Sequence, residues 1–140
     1  MARILCIDYG LKRVGLAVTD PMQIIASPLT TVPTHTLLDF LASYFLKEKV
    51  ESIVVGYPLQ TDATDSEIVP QIKGFVKQFE KKFPDIPHHY ADERFTSKMA
   101  QQALIMGGMK KKDRQIKGNT DMVSASLILQ TYLEWRTNQR

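Results

Sequence analysis

The sequence predicts an α/β fold: a mixed five-stranded sheet, antiparallel through its first three strands and parallel at its centre, with helices on both faces. Three observations carry this expectation. The chain has 140 residues, about one domain's length, so 1–140 is read as a single domain. Hydrophobic residues make up 44% and charged residues 24%, the balance of a chain that buries a core. Short apolar runs come first, and from residue 36 onward helical and strand-like periodicities alternate.

The first element is Ile4-Leu5-Cys6-Ile7, an unbroken apolar run that fits a strand buried on both faces. It stops at Asp8-Tyr9-Gly10. In Val14-Gly15-Leu16-Ala17-Val18-Thr19 large and small residues alternate, as in a strand with one packed face. The short connection 9–13 makes these two a hairpin. Residues 24–32 supply a third strand, and Pro28 within it points to the sheet edge. A helix is expected over 36–49, where Leu37, Leu38, Leu41, Tyr44 and Phe45 recur at helical spacing. Ser52-Ile53-Val54-Val55-Gly56 is a buried strand. Thr64-Asp65-Ser66-Glu67 has the capping-box form. The helix after it lines up Ile68, Ile72, Phe75, Phe79 and Phe83, with Pro70 near its start. Residues 88–91 form the fifth strand. Helices over 96–106 and 120–135 flank a basic loop.

Composition removes several classes of function. No apolar run approaches the ~20 residues of a membrane span, and the opening MARILCID lacks a signal-peptide layout. The single cysteine, Cys6, permits neither an internal disulfide nor a multi-cysteine metal site. A reducing cytoplasm is therefore the expected location. Net charge is +3, but the stretch 107–118 alone carries +4 and the remainder −1. Lys110, Lys111, Lys112, Arg114 and Lys117 thus make a local basic loop, suited to a polyanion or simply solvated.

Three places could bring carboxylates to one rim of the sheet. Asp8 ends the first strand. Asp92 and Glu93 end the fifth, and neighbours on a strand face opposite ways, so only one can join Asp8. Asp121 begins the last helix in phase with positions 125, 128 and 132 of its inward stripe. Each alone reads as structural: a turn acid, a surface ion pair, a helix-start acid. Together they would repel one another unless a cation neutralised them, and oxygen donors suit Mg²⁺ or Mn²⁺. Such ions hydrolyse phosphodiesters. Lys12 and Arg13 in the first hairpin could touch phosphates. His88 and His89 lie on opposite strand faces and read as structural, the Phe75, Phe79 and Phe83 stripe reads as core, and Cys6 as a small buried hydrophobe.

These residues match a known family. Ile7-Asp8-Tyr9-Gly10-Leu11-Lys12-Arg13-Val14-Gly15 resembles the opening motif of the YqgF/RuvX family of RNase H-like nucleases. Val55-Gly56-Tyr57-Pro58-Leu59, Asp92-Glu93-Arg94-Phe95-Thr96-Ser97, and Lys117-Gly118 with Asp121 resemble its later motifs in order and spacing. The resemblance implies an RNase H-like fold and divalent-metal phosphodiester hydrolysis. The catalytic and metal-binding acids fall on Asp8, Glu93 and Asp121. Two departures bear on loop geometry: Ala63 follows Asp62 where the family usually has glycine, and Met99 stands where it often has glutamate.

The expected function is therefore processing of the 5′ end of the small-subunit (pre-16S) ribosomal RNA precursor, with Mg²⁺ or Mn²⁺ as cofactor. Lys12, Arg13, Arg94, Lys110, Lys111, Lys112, Arg114 and Lys117 would hold the nucleic-acid backbone. Cleavage of branched DNA as a Holliday-junction resolvase is the alternative within enzymes, and a non-catalytic RNA-binding protein the alternative outside them. An actin-like ATPase, whose first loop also holds Asp-x-Gly, needs a second domain that this length does not provide. A monomer is favoured, because the aromatic stripe is spent on the core and the basic charge sits in one loop; a junction resolvase would be expected to dimerise.

Overall fold

The computed structural model describes residues 2–57, 68–92 and 117–138, with the backbone alone for Asp92, 117–121 and 137–138. Five strands form one sheet: β1 (Arg3–Tyr9), β2 (Arg13–Thr19), β3 (Ala26–Pro33), β4 (Val50–Tyr57) and β5 (His88–Asp92). Their order is β3-β2-β1-β4-β5. β1, β2 and β3 pair antiparallel, while β4 lies parallel to β1 and β5 parallel to β4. This is the predicted mixed sheet, and β1, its most apolar strand, occupies the centre.

The alternation of side chains along the strands divides the core in two. Leu5 and Ile7 of β1, Val14, Leu16 and Val18 of β2, and Ile53 and Val55 of β4 face one way. They pack under helix α1 (Leu37–Lys47) and helix α2 (Ile68–Lys82), chiefly against Leu37, Leu41, Ile72, Phe75 and Phe79. Ile4, Cys6, Ala17 and Val54 face the other way and meet Ala125, Ile128, Leu129 and Leu133 of helix α3 (Lys117–Asn138). Small side chains on that second face let α3 lie across β2, β3 and β1. The aromatic stripe is core, with the Phe79 and Phe83 rings 5.1 Å apart and Phe45 edge-on to both.

Proline placement follows the missing N–H. Pro28 sits on the edge strand beside an irregularity where β2 steps from Leu16 to Ala17, and the lost donor costs no ladder bond to a further strand. Pro70 is the third residue of α2, inside the first turn, where the N–H has no partner in any helix.

Several boundaries differ from expectation. The third strand begins at Ala26 rather than 24, because the carboxylate of Asp20 gathers the preceding residues into a turn. Its Oδ1 accepts from the Ile24 and Ile25 amides at 2.9 and 2.8 Å and its Oδ2 from the Met22 amide at 3.1 Å. A 3₁₀ turn over Thr34–Thr36 leads into α1, which therefore starts at Leu37 and stops at Lys47. The last helix starts at Lys117, three residues before expectation, so Asp121 lies a full turn inside it. The capping-box sequence 64–67 and the helix expected over 96–106 lie outside the described residues.

Candidate active site

Asp8 is the sixth residue of β1, near its carboxyl end. It shares a phase with Ile4 and Cys6, which face α3, so it belongs to the α3 face of the sheet. Its cross-strand partner on β2 is Gly15. On the other side, Ile7 pairs with Val55, so the next position along β4 is Gly56. Directly opposed residues share a face. Asp8 therefore stands in a slot whose neighbours on both flanking strands have no side chain. The motif reading had included Gly15 and Gly56 without a role; strand register was the signal that could have supplied one.

The direction of α3 sets what meets that slot. Arg136 Nη1 donates to Gln23 Oε1 at 2.9 Å, and Gln23 Nε2 donates to the Ala2 carbonyl at 2.8 Å. Gln130 Oε1 accepts from the Ala26 amide at 3.2 Å. The carboxyl end of α3 is thus latched at the start of β1, and the helix runs antiparallel to that strand. From Arg136 back to Asp121 a helix rises about 22 Å. From Ala2 to Asp8 a strand advances about 20 Å. The two lengths are similar, so both the strand and the helix run from the latched end toward the rim where β1 ends. Position 121 also shares the helical phase of Ala125, Ile128 and Leu129, the residues that pack on the sheet.

The fifth strand divides its side chains between the two faces of the sheet. His89 stacks on Tyr132 of α3 and Ala91 packs into the same layer. His88 reaches Glu80 of α2 at 3.4 Å, and Tyr90 meets Tyr57. Odd positions of β5 thus face α3 and even ones face α2. Glu93 lies outside the described residues, as do Arg94, Lys110, Lys111, Lys112 and Arg114. Lys117 is the first residue of α3. Among the described residues no three His, Cys, Asp or Glu side chains converge. His88 and His89 face opposite sides of the sheet, as expected, and Cys6 is fully buried.

The hairpin that follows Asp8 has a fixed shape. At Gly10 any Cβ would run into the Arg13 carbonyl oxygen. Thr34 ties the same turn down, donating from Oγ1 to the Gly10 carbonyl at 2.7 Å and from its amide to the Lys12 carbonyl at 3.0 Å. Lys12 is exposed in this turn, and Arg13 is half-buried at the start of β2. Burial raises the Tyr9 hydroxyl above its ordinary pKa.

The family model described as RuvX, Holliday junction resolvase, matches residues 2–135. The chain belongs to the RuvX family. It is 59% identical over 134 residues to a Phocaeicola vulgatus protein named "Putative pre-16S rRNA nuclease", covering 96% of both chains. A Flavobacterium johnsoniae protein of the same name is 57% identical, over 95% of this chain and 96% of the relative. Among solved structures the chain resembles T. thermophilus RuvC in complex with a Holliday junction substrate, with a TM-score of 0.60 at 14% identity, covering 98% and 96% of the two chains. It also resembles the yeast mitochondrial Holliday junction resolvase Ydc2, with a TM-score of 0.59 at 11% identity, over 97% of this chain and 79% of that one. The fold is the RNase H-like one of these resolvases. This RuvX protein is a nuclease, a hydrolase of phosphodiester bonds. Among the described residues no helix is long and apolar enough to cross a membrane.

Proposed function

We propose that this RuvX protein is a divalent-metal-dependent nuclease that trims the 5′ end of pre-16S ribosomal RNA, acting as a single-domain monomer in the cytoplasm. The observation that carries the reading is the Asp8 slot: a carboxylate between Gly15 and Gly56 on the face that α3 covers. Removing both flanking side chains leaves room beside the carboxylate for an ion and a phosphate. The oxygen-only donor set of Asp8, Glu93 and Asp121 fits Mg²⁺ or Mn²⁺. When bound, such an ion lowers the pKa of a water and offsets the charge that develops on the phosphate.

The chain's own residues supply the rest. Asp8 and Asp121 hold the cation charge at the rim, and Glu93 serves as a ligand or takes the proton of the attacking water. The cations Lys12, Arg13, Arg94, Lys110, Lys111, Lys112, Arg114 and Lys117 hold the phosphate backbone. The names of the close relatives support ribosomal RNA as substrate. The family description favours a second reading, Holliday-junction resolution. A side-by-side cleavage assay decides, with a single-stranded RNA ending like a ribosomal precursor and a four-way DNA junction at matched salt and Mn²⁺. Faster cutting of the RNA by a monomer is expected. Symmetric paired nicks in the junction by a dimer, with the RNA untouched, would select the resolvase.

A further inference from the structure

Tyr9 follows Asp8 on β1 and therefore faces the opposite side of the sheet. There an open cavity of about 600 Å³ lies between the β1–β2 hairpin, the entry to α1 and the outer face of α2. Its apolar wall is Tyr9 against Phe75, ring centroids 5.4 Å apart. On α2, Gln71, Gly74 and Gln78 form one ridge along it at three- and four-residue spacing. Lys12 brings a positive charge to the mouth, and none of the lining residues is acidic.

Gly74 is the informative residue. A glycine inside a helix costs about 1 kcal/mol relative to alanine, and close packing is the usual reason to keep one. Here a Cβ would meet nothing within 4 Å. The glycine keeps cavity space open instead of relieving a contact. The two exposed glutamines beside it make no side-chain hydrogen bond to the described residues, so each amide retains a donor and an acceptor for a ligand.

Aromatic faces, paired amides and one cation are the chemistry that recognises a nucleobase carrying a phosphate. We propose that this cavity takes a single unstacked nucleobase of the RNA strand whose neighbouring phosphate lies at Asp8. The inference rests on the nuclease reading. The two sites lie back to back, joined by the hairpin that Gly10 and Thr34 hold in place, so a strand turning over the rim of the sheet engages both.

The test is single-stranded RNA carrying 2-aminopurine at successive positions, bound to the full chain with Ca²⁺ in place of Mn²⁺. One position is expected to lose its fluorescence on binding through stacking, and an abasic site there to weaken binding about tenfold. Gly74→Leu, which fills the cavity, and Gln78→Ala, which leaves the helix intact, should each abolish or weaken that position's response alone. Quenching spread evenly along the strand, or quenching that survives both substitutions, overturns the proposal. Free adenosine monophosphate that binds as tightly as the RNA overturns the assignment to a strand. Mn²⁺-dependent cleavage of the same RNA is scored separately. Cleavage without a position-specific response removes the pocket and keeps the nuclease; the response without cleavage keeps the pocket and removes the nuclease.

Discussion

The hydroxyl of Thr34 donates a 2.7 Å hydrogen bond to the carbonyl of Gly10, tying the turn after Asp8 to the far end of β3. The two residues belong to segments that the sheet order separates by a whole strand, β2. The turn is thus shaped from outside as well as by its own glycine.

Gly10→Ala should therefore cost about 1–3 kcal/mol, because its Cβ collides with the backbone oxygen of Arg13 and not with a movable side chain. Thr34→Val should cost about 1 kcal/mol, the net worth of one hydrogen bond. Urea titration of the two variants checks both figures. Equal, negligible losses would mean that the turn is not under constraint.

Asp8→Asn preserves side-chain shape and removes the negative charge. Cleavage should fall on the order of 100-fold or more, the equivalent of several kcal/mol of charge stabilisation. Thermal unfolding and RNA affinity should change little, because the amide keeps the side chain's size and its capacity to hydrogen-bond. Wild-type Mn²⁺-dependent turnover in this variant would remove Asp8 from the site.

Replacing Lys110, Lys111 and Lys112 by alanine should weaken binding to RNAs of different sequence about equally. If all three meet phosphates, the slope of log affinity against log salt should fall by roughly 2–3, at ~0.7–0.9 per phosphate. An unchanged slope would return the segment to a solvated loop.

The turn built on Asp20 carries a pH prediction. Backbone amides, that of Ile25 foremost, hold its carboxyl below the ordinary Asp value of about 4. A depressed native pKa stabilises the folded turn at pH above the unfolded value. That contribution disappears as pH falls through the lowered native value. The amides of Ile24 and Ile25 should therefore stay protected from hydrogen exchange at neutral pH and lose protection selectively below about pH 4. In Asp20→Asn the extra acid sensitivity should vanish.

Much of this architecture was legible before any coordinates, for identifiable reasons. The run Ile4–Ile7 is apolar on both faces, which only a central strand can use, and Pro28 tolerates only an edge. The two layers of the core could be separated in advance because β1 and β2 alternate cleanly between them. Side-chain-to-backbone bonding was harder to see. Ile24 and Ile25 have strand composition, yet the Asp20 carboxylate claims their amides and leaves their side chains 63% and 61% exposed. The last helix is expected from 120, yet it begins at Lys117. The glycine slot and the cavity at Gly74 depend on register and on what lies opposite, which a linear reading does not contain.

The latch between Arg136, Gln23 and Ala2 has a consequence for biosynthesis. β1 is made before α3, and the other four strands lie between them in chain order. A chain that stops after β4 and short of α3 presents Ile4, Cys6, Ala17 and Val54 as an uncovered apolar face. Such a fragment carries an adhesive surface. Docking of α3 hides that surface. A growing chain is therefore open to association through this face until α3 has been made and has closed over it.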